Sequence, residues 1–311
     1  MSSPSPSLRV EAAGIEFQNP VMLAAGTAGY GRELADVVDL DALGGLVTKA
    51  VSVEPRSGAP APRVAEFGGG MINAVGLANP GLEAVRRDHL PWLAAHLRRA
   101  RVLVNVIGTT IEDFVTVASA LDAASGVSGF ELNVSCPNVR CGGTEFGADR
   151  TVLADLVGQV RRATARPLFV KLSPTLADIG TTARVAVDAG ADGITVINTL
   201  PGLLIDVERR RPALGYGTGG VSGPAVLPVG VLATWNVTRA VRAPVVGVGG
   251  IATAEDIVQY MLAGATLVGV GTAAMQNPRL PERLVRDLGA WCARHGVQTL
   301  ADVIGRLEWP A

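Results

Sequence analysis

Eight short runs of strand-forming residues, each closing at or near a Gly, Asn, Lys or Thr, limit how this chain can fold more than any other feature. They are "PVMLAAG" (20–26), "GGLVTKA" (44–50), "RVLVNVIG" (101–108), "GFELNVSC" (129–136), "PLFVKLS" (167–173), "GITVINT" (193–199), "PVVGVGG" (244–250) and "TLVGVGT" (266–272). Between most of them the apolar residues fall at helical spacing, as in "IEDFVTVASALDAA" (111–124) and "AEDIVQYMLAGA" (254–265), the second opening behind a potential N-cap at Thr253. Alternating strands and helices imply parallel pairing, and near-continuous apolar strands imply burial on both faces. A doubly wound open sheet and a closed barrel both satisfy this. Eight units in 311 residues favour the barrel, which needs roughly 250 residues plus insertions. The expected architecture is therefore α/β, a single-domain (β/α)8 TIM barrel over 8–311 behind a disordered tail, "MSSPSPS" (1–7).

Two long insertions follow strand ends and belong on the C-terminal face: 51–81 after the second strand and 200–223 after the sixth. The segment "LRVEAAGIEFQN" (8–19) reads as a small hairpin placed to cover the bottom of the barrel. With 48% hydrophobic residues the chain can bury a large core, and a net charge of −1 without like-charge blocks gives no support to a nucleic-acid footprint or a polybasic membrane patch. Three cysteines without a C-x-x-C argue against a disulfide scaffold and against a zinc or iron-sulfur site built by this chain alone. No secretory leader or membrane span is visible, which points to the cytoplasm.

Polar residues that a buried strand tolerates only for a purpose sit at or near the C-terminal strand ends: Lys49, Asn105, Asn133, Lys171, Asn198 and Thr199, with Cys136 just beyond the fourth strand. In a barrel they converge on one mouth. Strands seven and eight end in "GVGG" and "GVGT", offering backbone N–H groups beside helix starts in the position where barrels bind phosphate. Neither is a dinucleotide fingerprint. His89, His96 and His295 fall in helical segments away from these ends and read as surface or packing residues. Cys136 lies in a loop with Ser135 beside it. Its thiol is either a nucleophile or base of lowered pKa, or a small buried hydrophobe. Only two of the 27 basic residues are lysine, Lys49 and Lys171, and both end strands.

The stretches "TKAVSVEPRSGAPAPRVAE", "MINAVGLANPG", "ELNVSCPNVRCGGTEFG", "VKLSPTLADI", "GADGITVINTLPG", "GTGGVSGPA", "VGVGGIATAEDI" and "GVGTA" resemble the class 1 dihydroorotate dehydrogenases, FMN enzymes of pyrimidine biosynthesis, over nearly the whole chain. "TKAV" and "NAVGLANPG" are more similar to class 1B, the NAD-linked catalytic subunit, than to the fumarate-reducing class 1A. The resemblance implies that dihydroorotate is oxidised to orotate, with Cys136 removing the C5 proton while a hydride passes from C6 to flavin N5. It implies that Lys49, Asn73, Ala74, Val75, Gly76, Leu77, Asn133, Asn198 and Thr199 bind substrate. For one FMN per chain it implies Ala25, Lys49, Ala50, Asn105, Asn133, Lys171, Ile197 and Gly223, with Gly249, Gly250, Gly271 and Thr272 around the phosphate. No metal is expected. Lys171 is expected to face the flavin edge where negative charge collects on reduction, a place where a compact ammonium fits and a planar guanidinium does not.

The resemblance also implies a homodimeric core and an electron-transfer subunit carrying FAD and a [2Fe-2S] cluster, assembled two plus two, because three scattered cysteines cannot ligate such a cluster. Ala25 stands where relatives often carry serine, leaving only its backbone for a flavin contact. Cys141 follows Cys136 by five residues, and a reducing cytoplasm disfavours a disulfide between them. Three other readings compete: a class 1A enzyme reducing fumarate directly, a Schiff-base lyase using Lys171 or Lys49 as its amine, and a non-catalytic flavin or phosphate binding module.

Overall fold

The computed structural model describes residues 6–135, 140–141 and 144–310. The eight runs form eight parallel strands: β1 (Val21–Leu23), β2 (Gly45–Val47), β3 (Arg101–Val106), β4 (Gly129–Asn133), β5 (Leu168–Leu172), β6 (Gly193–Val196), β7 (Val245–Val248) and β8 (Leu267–Val270). Each pairs with its neighbour in sequence, and β8 pairs back onto β1, so the barrel closes and leaves no sheet edge exposed.

Among the described residues, seven helices of seven or more residues surround it: α1 (Leu90–His96), α2 (Ile111–Leu121), α3 (Arg150–Ala163), α4 (Ile179–Asp188), α5 (Leu227–Ala240), α6 (Ala254–Leu262) and α7 (Leu280–Arg294). Between β1 and β2 the only helical element is the 3-10 turn Leu40–Ala42. On α2 the buried positions Phe114, Val117, Ala118 and Leu121 follow the helical period. Burying each large side chain there contributes about 1.5–3 kcal/mol. Thr253 caps α6 as expected, in a reciprocal box in which its hydroxyl accepts from the Asp256 N–H. The helix stops earlier than its apolar pattern because Gly264 turns left-handed (φ 104°). Its N–H and that of Ala265 then satisfy the carbonyls of Met261 and Tyr260.

The barrel interior has two zones. Met22, Val47, Leu103, Phe169, Val246 and Leu267 pack together in the lower one, closed from below by Ala12 and Phe17. Those two come from the hairpin Val10–Ala12/Ile15–Phe17, which covers the bottom as its sequence suggests. A Cβ at Gly193 would stand 2.3 Å from the Phe169 ring, so the glycine leaves the space that the ring fills. Two residues beyond Val47, Leu103 and Phe169, and beyond Gly129 and Gly193 on the intervening strands, side chains of the same parity are polar: Lys49, Asn105, Lys171, Glu131 and Thr195.

The two insertions pair with each other. Val64–Phe67, Gly70–Asn73, Gly219–Ser222 and Leu200–Gly202 form one antiparallel sheet, with Asn73 opposite Gly220 and Leu200 opposite Val221. At the N-terminus, the Ser7 N–H donates to the Gln298 carbonyl. Among the described residues no helix is long and apolar enough to cross a membrane.

Candidate functional site

The polar layer is built from four adjacent strands. Asn105 on β3 is 1% exposed, and its Nδ2 donates to Glu131 Oε1 on β4 at 2.8 Å. The other carboxylate oxygen of Glu131 accepts from Thr195 Oγ1 on β6, also at 2.8 Å. One buried carboxylate thus spans from β3 to β6 and fixes both side chains. Lys171 on β5 lies opposite Asn133 on one side and Thr195 on the other. It is 6% exposed, and its ammonium has no hydrogen-bond or ion-pair partner among the described residues. A charge on a side chain this enclosed, without a counter-ion, opposes folding, which packing alone does not justify. Lys49, half-buried at the end of β2, also lacks a side-chain partner among the described residues.

Above this layer Ser135 links two asparagines. Its hydroxyl donates to Asn133 Oδ1 at 3.1 Å and accepts from Asn198 Nδ2 at 2.9 Å, while Asn198 Oδ1 accepts from the Thr199 N–H. The inter-insertion sheet adds Asn73, whose Nδ2 donates to the Gly220 carbonyl. Gly220 is backed by Thr199, since a Cβ there would collide with the Thr199 hydroxyl. The turn carrying Ala74, Val75, Gly76 and Leu77 has consecutive left-handed residues, Gly76 (φ 70°) and Leu77 (φ 59°). A Cβ at Gly76 would lie 2.3 Å from the Ala59 nitrogen, so that position takes only glycine.

The glycine-rich ends meet at the adjoining part of the mouth. Gly249 and Gly250 follow β7 with positive φ, and Gly271 follows β8 with only ordinary contacts within 4 Å of a Cβ placed there. Thr272 Oγ1 donates to Ser222 Oγ at 2.8 Å, which ties the second insertion and Gly223 to the end of β8. Ile197 is buried and its N–H donates to the Val248 carbonyl. On the β2 side the Tyr30 hydroxyl donates to the Ala50 carbonyl at 2.8 Å, and burial, then the charge of Glu33, push its pKa far up. Ala25 is half-buried after β1.

Most residues singled out from the sequence therefore sit at one end of the barrel. Cys136 lies outside the described residues. Glu131 went unread, although its parity with Asn133 in "GFELN" puts a carboxylate inside the barrel. Ser135 was noticed only as a neighbour of the cysteine. The three histidines stay apart: His89 packs on Tyr30, with ring centroids 4.3 Å apart, while the exposed His96 and His295 stack on Trp92 and Trp291.

A family model described as dihydroorotate dehydrogenase matches residues 7–291. The chain is 45% identical over 303 residues to the catalytic subunit of dihydroorotate dehydrogenase B (NAD(+)) from Geobacter sp. (strain M21), covering 97% of this chain and 99% of that one. To the protein of the same description from Pelobacter propionicus it is 46% identical, with the same coverage. Among solved structures it is similar to DHODH from Eimeria tenella in complex with ferulenol, with a TM-score of 0.82 at 22% identity, covering 98% of this chain and 90% of that one. This last is a likeness of fold.

Proposed function

This chain belongs to the dihydroorotate dehydrogenase family, and from that premise we propose that it is the FMN-dependent catalytic subunit of an NAD-linked enzyme that oxidises dihydroorotate to orotate for pyrimidine synthesis. The observation that carries this reading is the 6% exposed Lys171, its ammonium without a partner among the described residues, set between Asn133 and Thr195 in a layer of fixed polar side chains.

The residues fit a flavin mononucleotide. Gly249, Gly250, Gly271, Thr272 and Gly223 offer backbone whose own side chains are absent or short, with only ordinary contacts around Gly271, as a phosphate requires. Lys171 supplies a cation for a carbonyl edge that gains negative charge, and Asn105, Asn133, Lys49, Ala50, Ala25 and Ile197 complete the surroundings. When bound, FMN supplies the acceptor for the hydride that leaves C6 of the substrate.

The rest of the chemistry belongs to this chain. Cys136 takes the proton from C5, so the substrate loses a proton and a hydride and becomes the conjugated orotate. A thiol of ordinary pKa, about 8.5, must be lowered to act near neutral pH. Asn73, Asn133, Asn198 and Thr199, with the turn from Ala74 to Leu77 and with Lys49, hold the carboxylate and ring amides. Their own bonds set how they do so: Asn133 spends Oδ1 on Ser135 and keeps Nδ2 to donate, whereas Asn73 spends Nδ2 on Gly220 and keeps Oδ1 to accept.

Electrons then leave through a separate subunit bearing FAD and a [2Fe-2S] cluster, in a cytoplasmic assembly of two plus two chains around a catalytic dimer. The test is the product. With dihydroorotate and a soluble dye as acceptor, the isolated chain should form orotate and reduce the dye in equal amounts, and a chain that forms none would refute the reading. Fumarate replacing the dye at full rate would move the enzyme to the fumarate-reducing class.

A further inference from the structure

Tyr260 is fully buried on α6, in a slot that two glycines leave open. A Cβ at Gly247 on β7 would stand 2.3 Å from its ring, and one at Gly230 on α5 would stand 1.9 Å from its hydroxyl. Seated there, the hydroxyl donates to the Gly249 carbonyl at 2.7 Å. Burial, then the charge of Asp256, push the pKa of this tyrosine far above the ordinary range, so it remains a donor at any working pH. One turn earlier on the same helix, Asp256 Oδ2 accepts from the N–H groups of Ala252 and Thr253 at 2.9 and 2.8 Å. The loop leaving β7 is thus tied to α6 at both ends.

We propose that the Tyr260 hydroxyl is a positioning device for the phosphate of the flavin: by holding the Gly249 carbonyl it sets the plane of the Gly249–Gly250 peptide. The inference rests on the flavin reading above. That peptide is trans, since the cis bonds of the described chain are Ala61–Pro62 and Val196–Ile197. In a trans peptide the N–H points opposite to the C=O. With the carbonyl drawn toward α6, the Gly250 N–H is turned away from the helix layer. The bond also polarises the peptide, which makes that N–H a better donor to an anion. Glycines at φ 129° and 75° have shallow conformational preferences, so without the tyrosine the peptide plane is free to rotate.

The test compares two flavins that differ only in the phosphate. Tyr260→Phe keeps the ring in its slot and removes the hydroxyl. The yellow holoenzyme is diluted and released FMN followed by its fluorescence; flavin-stripped protein is then titrated with FMN and with riboflavin. FMN binding should weaken about five- to tenfold, as for one hydrogen bond, with riboflavin binding unchanged. Unchanged FMN binding would overturn the proposal, and so would equal weakening of both flavins, because the hydroxyl would then serve only the fold. Wild-type protein that binds neither flavin would overturn the flavin reading and this inference with it.

Discussion

Asn105 and Glu131 stand side by side on neighbouring barrel strands, joined by a 2.8 Å bond from amide to carboxylate in a layer that is 1% exposed at both residues. The carboxylate also holds Thr195, and so Glu131 braces the polar wall from β3 to β6.

Replacing Glu131 by alanine leaves two buried donors without an acceptor and opens a cavity. At about 1–3 kcal/mol for each unsatisfied group, Glu131→Ala should destabilise the protein by about 3 kcal/mol or more, measured by urea unfolding. Glu131→Gln still accepts from Asn105 and can donate to Thr195, so its loss should stay below about 1.5 kcal/mol. Equal losses would show that the carboxylate does not brace these partners.

Lys171 gives the opposite sign. Its unpartnered ammonium opposes folding, so Lys171→Met should leave the flavin-free protein as stable or make it about 1 kcal/mol more stable. Flavin reduction by dihydroorotate should fall at least about a hundredfold, as when a group that meets developing charge is removed. Stability and reduction falling together would mean that the lysine is structural.

Acid sensitivity should be traceable to Asp41. Burial works to raise its pKa, but N–H donors from Ala100, Arg99 and Arg98 and the charge of Arg99 outweigh burial and hold the carboxyl below its ordinary value. A depressed pKa contributes stability that is fully present above the unfolded value of about 3.9 and disappears as pH falls through the folded one. Asp41→Asn should therefore lower stability at pH 7 and flatten its decline below about pH 4. An acid limb unchanged in slope would assign the sensitivity to other carboxylates.

What was legible in the sequence was whatever repeats locally. The strand runs, the Thr253 cap and the hairpin beneath the floor are set by residues a few positions apart, and each lies where its pattern indicated. Lys49, Asn105, Asn133 and Lys171 stood out because strand ends are poor places for idle polar groups. The sheet between the insertions was not legible, since pairing Asn73 with Gly220 depends on two loops meeting over a closed barrel. Nor was Tyr260, which looks like an ordinary apolar position of α6 until Gly247 and Gly230 are seen to vacate its slot. Glu131 was legible by parity, but a lone acid inside a strand run drew no notice without its partners.

The most direct measurement mixes the purified yellow chain with dihydroorotate under anaerobic conditions and follows the flavin absorbance. Rapid bleaching that NAD alone does not reverse, and that is lost in Cys136→Ala, is the result that a catalytic subunit awaiting its electron-transfer partner should give. A flavin that stays oxidised in the wild-type chain would contradict the proposed function.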